Sequence, residues 1–61
     1  MDVRLRVWRQ RRLVLDEPTT VEDVLRAEGA IVRFLEATRE AHQQAAVVVR
    51  VGDLDRVVGR V

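Results

Sequence analysis

The sequence predicts an α+β domain of order β-β-α-β-β, with one long helix packed on a mainly antiparallel sheet. Three observations carry that expectation. Val3, Leu5 and Val7 alternate with Arg4, Arg6 and Trp8. Apolar residues recur at helical spacing from Val21 to Leu35. Residues 45–51 form a β-branched apolar run, followed by a second strand-like stretch over residues 54–61. Strict alternation marks a strand with one buried face, and recurrence three and four residues apart marks an amphipathic helix. The 61 residues allow a single domain, spanning 1–61.

The first strand begins at Val3 and gives way to the polar stretch Arg9-Gln10-Arg11-Arg12. Leu13-Val14-Leu15 reads as a second strand, ended by Asp16-Glu17-Pro18. An antiparallel hairpin is expected, but the turn has no Asn-Gly or Asp-Gly pair to define its type.

Thr19 and Thr20 precede the helical pattern, with Glu22 and Asp23 three residues after each. That is capping-box spacing: a threonine oxygen accepts from a free backbone N–H, and the acids suit the positive end of the helix dipole. Glu22 and Arg26 add an i,i+4 pair in the favourable order. The helix is expected from about residue 20 to about residue 44. Gly29 lies inside it, at a cost of about 1 kcal/mol relative to alanine. A break at Gly29 is the competing reading. Continuity is favoured because Val21, Val24, Leu25, Ile31, Val32 and Leu35 form one stripe.

Ala45 to Val51 then reads as a third strand. Gly52-Asp53 suits a type II′ turn, with glycine first. Leu54 to Val61 returns as the fourth strand.

A chain this short buries only about 60% of its unfolded surface, so small domains need a further device: disulfides, metals or oligomerisation. Cysteine is absent and His42 is the single histidine, which excludes disulfides, thiolate sites and multi-histidine zinc sites. Oligomerisation remains. No apolar run approaches the roughly 20 residues of a membrane span, and Met1-Asp2-Val3-Arg4 has no apolar signal-peptide core. A cytoplasmic protein with no membrane partner and no cofactor is expected.

The net charge of +1 hides an asymmetry. Residues 1–12 hold five arginines and one aspartate, residues 13–44 hold seven acids and three arginines, and residues 45–61 hold three arginines and two aspartates. All eleven basic residues are arginine, which makes bidentate contacts with phosphate or carboxylate better than lysine does. Arg4, Arg6 and Trp8 share one strand face, with Arg9, Arg11 and Arg12 beside them. Such a hairpin can hold phosphates and stack a base on the indole, or meet an acidic protein surface. The simpler reading is a solvated sheet face whose arginine stems cover Trp8.

Written as heptads, Val21, Glu28, Leu35 and His42 share one core position, and Val24, Ile31, Thr38 and Ala45 the other. Glu28 and His42 then interrupt an apolar seam. They either reach water at its edge or set register between two helices; helices crossing antiparallel about Leu35 would bring Glu28 of one chain to His42 of the other. Within one chain, Glu28 and His42 lie about 21 Å apart on a helix. Serine and cysteine nucleophiles are absent altogether, so no catalytic residues are assigned and an enzyme is not expected. Around Val48, both faces of the third strand are apolar, which calls for cover on both sides and makes Val48 a candidate oligomer contact together with Glu28, Leu35 and His42.

Residues 3–28, a hairpin followed by Pro18-Thr19-Thr20-Val21-Glu22-Asp23-Val24-Leu25, resemble the opening of ubiquitin-like β-grasp proteins, among them small sulfur carriers. The resemblance covers less than half of the chain. In those carriers a Gly-Gly tail bears the chemistry; this sequence reads Val58-Gly59-Arg60-Val61 instead, so no activity carries across. The expected function is a small non-enzymatic homo-oligomeric protein-interaction module, with a nucleic-acid-binding regulator using the arginine hairpin as the alternative.

Overall fold

The computed structural model describes residues 2–61. Strands β1 (Val3–Arg9) and β2 (Arg12–Pro18) form a hairpin, helices α1 (Val21–Arg26) and α2 (Glu28–Glu40) follow, and β3 (Ala45–Val51) and β4 (Leu54–Arg60) form a second hairpin. The four strands make one sheet in the order β2-β1-β3-β4, with every neighbouring pair antiparallel. The α+β class and the expected element order hold. Since β2 and β3 both oppose β1, they run parallel to each other with β1 between them. The helical segment is their crossover, the kind of connection that parallel strands require.

Both hairpin turns have two residues. Gly52 takes φ +59° while Asp53 stays out of the positive region, the pattern of the expected II′ turn. In the first hairpin Gln10 (φ 51°) and Arg11 (φ 66°) are both left-handed, as a type I′ turn demands, and neither is glycine. The left-handed region costs a residue with a Cβ roughly 1–2 kcal/mol. Cross-links to the α2–β3 loop hold the turn there. The Gln10 N–H donates to the Gln44 carbonyl at 3.0 Å, and Gln10 Oε1 accepts from the Gln44 N–H at 3.4 Å.

The expected single helix over about 20–44 is corrected to two helices. Thr20 caps the first, its Oγ1 accepting from the Asp23 N–H at 3.1 Å. The helical run is interrupted at Ala27 (φ −86°, ψ 3°), two residues before Gly29, whose own backbone stays helical. The Ala27 N–H is shared between the Asp23 and Val24 carbonyls, at 3.0 and 3.1 Å, so the turn tightens there without a glycine. The helix also stops earlier than expected. Ala41 is the C-cap and His42 takes the left-handed position after it, φ 56°. That position favours glycine, or asparagine, because the left-handed conformation strains a residue with a Cβ. Here the His42 and Gln43 N–H groups return to the Arg39 and Thr38 carbonyls at 2.9 and 3.0 Å.

Strand register sorts the side chains onto two faces. Val3, Leu5, Val7 and Arg9 lie opposite Val51, Val49, Val47 and Ala45, on the face that carries the helices. Arg4, Arg6 and Trp8 lie opposite Arg50, Val48 and Ala46, on the open face. Helix α2 packs over β3 and β4. The buried apolar residues are accordingly Ala45, Val47, Val48 and Val49, all on β3, joined by Thr38, whose hydroxyl donates to the Phe34 carbonyl at 2.8 Å. No residue of α1 is buried.

Candidate functional site

The six expected hairpin residues do not gather on one surface. Arg4, Arg6 and Trp8 share the open face, as alternation requires. Arg9 and Arg12 are register partners on the opposite face. Arg9 is held by its Nε and Nη2 donating to Gln43 Oε1 at 3.2 and 2.8 Å. Arg11 stands at the turn between them.

The charge on the open face is largely neutralised at one end. Arg4 Nε meets Asp16 Oδ1 at 2.7 Å and Arg6 Nη2 meets Asp16 Oδ2 at 3.3 Å. The hydrogen bond from Arg4, helped by that from Arg6, holds the Asp16 carboxyl below the ordinary aspartate range against the opposing effect of desolvation. Arg50 lies 3.8 Å from Asp55 and donates to the Gly52 carbonyl at 3.2 Å. Arg11, Arg12 and Arg60 have no ion-pair partner among the described residues.

The other expected contact residues also separate. Glu28 is exposed in the first turn of α2. Leu35 faces β4, with its Cδ1 only 2.5 Å from where a Cβ on Gly59 would stand. His42 lies beyond the helix end and off its stripe, which corrects the heptad reading. The left-handed residue at 42 turns the chain toward β3, so helices crossing about Leu35 have no helical His42 to offer. Val48 is 8% exposed although it points to the open face, so the expectation that this side of β3 needs an outside cover is also corrected. Val48 sits in register between Arg6 and Val57, and Arg6 Nε is buried without a hydrogen-bond partner, as for an arginine stem pressed along the sheet.

Among the described residues, two concave surfaces bear on function. The first is a groove of about 380 Å³ on the helix side. Its floor is Leu5, Val7 and Val47, one wall is Val14 and Leu15 of β2, and the other is Ala27, Ala30, Ile31 and Phe34. Every lining residue is apolar. The groove exists because α2 covers β3 and β4 and leaves the β1–β2 half of the same face open. Leu5 and Val7, on a central strand, are therefore only half-buried, and Val14 is 56% exposed. Val21 and Leu25 of α1, also exposed, precede the helix wall at Ala27. A β-bulge puts Val14 in this groove. Register jumps from Val7↔Leu15 to Trp8↔Leu13, which leaves Val14 unpaired.

The second is a pocket of about 310 Å³ at the turn end of the sheet, lined by Trp8, Gln10, Arg11, Gln44, Ala45, Ala46, Arg60 and Val61. Ala46 lies between Trp8 of β1 and Arg60 of β4 in one cross-strand row. Of these lining residues the sequence reading singled out Trp8 and Arg11. The available signal for the rest was the alanine at 46, a small residue at the head of a valine run.

Among the described residues, no cluster of three or more histidine, aspartate or glutamate side chains is placed to hold a metal, and no helix is long and apolar enough to cross a membrane. Comparison of the chain with protein-family models, with characterised proteins and with solved structures found no match.

Proposed function

We propose that the chain is a non-enzymatic homo-oligomeric interaction module that completes its core by docking its helix-side groove against a second copy. The observation that carries this reading is the unfinished apolar layer. Among the described residues the buried apolar side chains all lie on β3, while Val14 in the groove and Val21 and Leu25 on the helix leading into it are exposed. Burial stabilises by roughly 25 cal/mol per Å² of apolar area, so a surface of this kind is a standing drive to associate. A second copy fits it because the chain brings its own complement: Val21 and Leu25 are exposed on α1, which leads into the groove wall at Ala27, and two-fold pairing about the groove lets each copy's α1 cover the other's groove.

Light scattering across a concentration series tests the reading. The wild type should have the mass of a dimer or higher oligomer, and Leu25→Glu should move it to the monomer mass with the far-UV circular dichroism unchanged. A wild type that stays monomeric at high micromolar concentration overturns it.

A further inference from the structure

We infer that the pocket over Ala46 is a nucleotide-binding site, in which Trp8 stacks the base and Arg11 and Arg60 hold the phosphate. This site is on the open face and at the turn end of the sheet, so it stands independently of the helix-side groove.

The geometry comes from one cross-strand row. Ala46 is flanked by Trp8 on one side and Arg60 on the other. Adjacent strands lie about 4.7–4.9 Å apart, so the backbones carrying Trp8 and Arg60 are separated by roughly 9–10 Å. Ala46 contributes a single methyl between them. A flat ring can therefore lie against the indole with the alanine as floor, leaving Arg60 on the far side to meet the attached phosphate. Aromatic faces stack on nucleobases of any identity, which is how sequence-tolerant nucleic-acid sites are commonly built. The volume of about 310 Å³ is at the small end of the range for ligand pockets and suits one nucleotide unit.

The charge layout picks out the same place. Arginines toward the other end of this face are committed to Asp16 and Asp55. Arg11 and Arg60 line the pocket, form no ion pair among the described residues, and no acidic side chain lines the pocket with them. The backbone adds a further sign. Gln10 and Arg11 are held left-handed without glycine, and Gln10 is tied to Gln44, another lining residue. Backbone strain of this kind persists where the surrounding structure over-determines it. The turn so held places Arg11 among the residues lining the pocket.

The ligand class is a base joined to a phosphate, either as a free mononucleotide or as one unit of a single strand. Trp8 is the only tryptophan, so its fluorescence reports the site directly. The protein is titrated with adenosine monophosphate, with inorganic phosphate, with a short single-stranded oligonucleotide and with the matching duplex, at low salt. Saturable quenching by the mononucleotide or the single strand is expected, with phosphate alone and duplex weaker. A mononucleotide that binds as well as the oligonucleotide identifies the free ligand; a tighter oligonucleotide identifies the strand. Arg60→Gln should weaken binding at least several-fold and flatten the salt dependence by about 0.7 per lost phosphate contact on a single strand. Ala46→Leu, which fills the floor and leaves every charge in place, should abolish saturable quenching. If Ala46→Leu disturbs the fold by circular dichroism, Ala46→Val serves instead and should weaken binding in the same direction. Absence of saturable quenching by either nucleotide form overturns the site. So does quenching by phosphate or duplex as strong as by the nucleotide, and so does binding that survives both the Ala46 and the Arg60 substitutions. Loss of nucleotide binding with an intact oligomer, or the reverse, tells this site's failure apart from that of the groove.

Discussion

Leu35 of α2 rests on Gly59 of β4 so closely that a Cβ there would stand 2.5 Å from Leu35 Cδ1. Gly59 is the register partner of Val47, the most deeply buried large side chain, so this is where the helix is seated on the sheet. Glycine within a strand is otherwise unfavourable by about 0.5–1 kcal/mol relative to alanine. Overpacking a tight site costs about 1–3 kcal/mol, so steric crowding should win. Gly59→Ala is expected to destabilise the protein by about 1 kcal/mol in a urea titration. In a Leu35→Ala background the sign should reverse, with Gly59→Ala becoming stabilising by a few tenths of a kcal/mol or more. Equal effects in both backgrounds would show that the two residues are not coupled.

The pair of arginines on Asp16 sets the acid limb of stability. The folded-state pKa of Asp16 is depressed, chiefly by the hydrogen bond from Arg4, below an unfolded value of about 3.9. A depressed carboxyl contributes stability that is fully present above the unfolded pKa and is lost as pH falls through the folded one. Denaturation midpoints should therefore be insensitive to Asp16 above about pH 5 and fall in more acid solution. Asp16→Asn should flatten that part of the fall. An unchanged acid limb in the Asn variant would mean that the ion pair is too well solvated to matter.

The groove and the centre of β3 should respond differently to a charge. Val14 is exposed, so Val14→Glu should leave the fold intact and shift the solution mass toward monomer. Val48 is buried, and Val48→Glu puts a larger, charged side chain into a desolvated position beneath Arg6, whose guanidinium already meets Asp16. Its expected result is loss of cooperative unfolding rather than a folded monomer. A folded, monomeric Val48→Glu variant together with an oligomeric Val14→Glu variant would move the interface to the open face.

The first turn carries a conflict between stability and the proposed nucleotide site. Arg11 is left-handed at φ 66°, a region where glycine has no steric penalty. Arg11→Gly should raise stability by roughly 0.5–1 kcal/mol, the relief of strain reduced by the extra freedom of the unfolded chain. The same change should weaken nucleotide binding. Thermal unfolding and Trp8 fluorescence on one sample measure both. A variant that is less stable than the wild type would show that the turn is held by Arg11 rather than strained by it.

Several features were legible because they depend on neighbours in the chain. Alternation at Val3, Leu5 and Val7 fixes which side chains share a face, whatever the sheet becomes. Gly52 foretells a positive φ because only glycine adopts it freely. Thr20 foretells a cap because its oxygen needs to reach only three residues ahead to Asp23. The interruption at Ala27 had no such marker. It falls on a good helix former while the glycine two residues later stays helical, so a propensity difference of about 1 kcal/mol did not choose the position.

What the sequence determined by itself is therefore the element order, the face assignment along β1 and the charge asymmetry, all of which depend on chain-local pattern and composition. The strand order β2-β1-β3-β4, the burial of Val48 and the placement of Trp8 and Arg60 on either side of Ala46 were decided by the tertiary structure alone. Each depends on which strands become neighbours. That choice is made by side chains dozens of residues apart burying apolar area together, and no spacing along the chain records it.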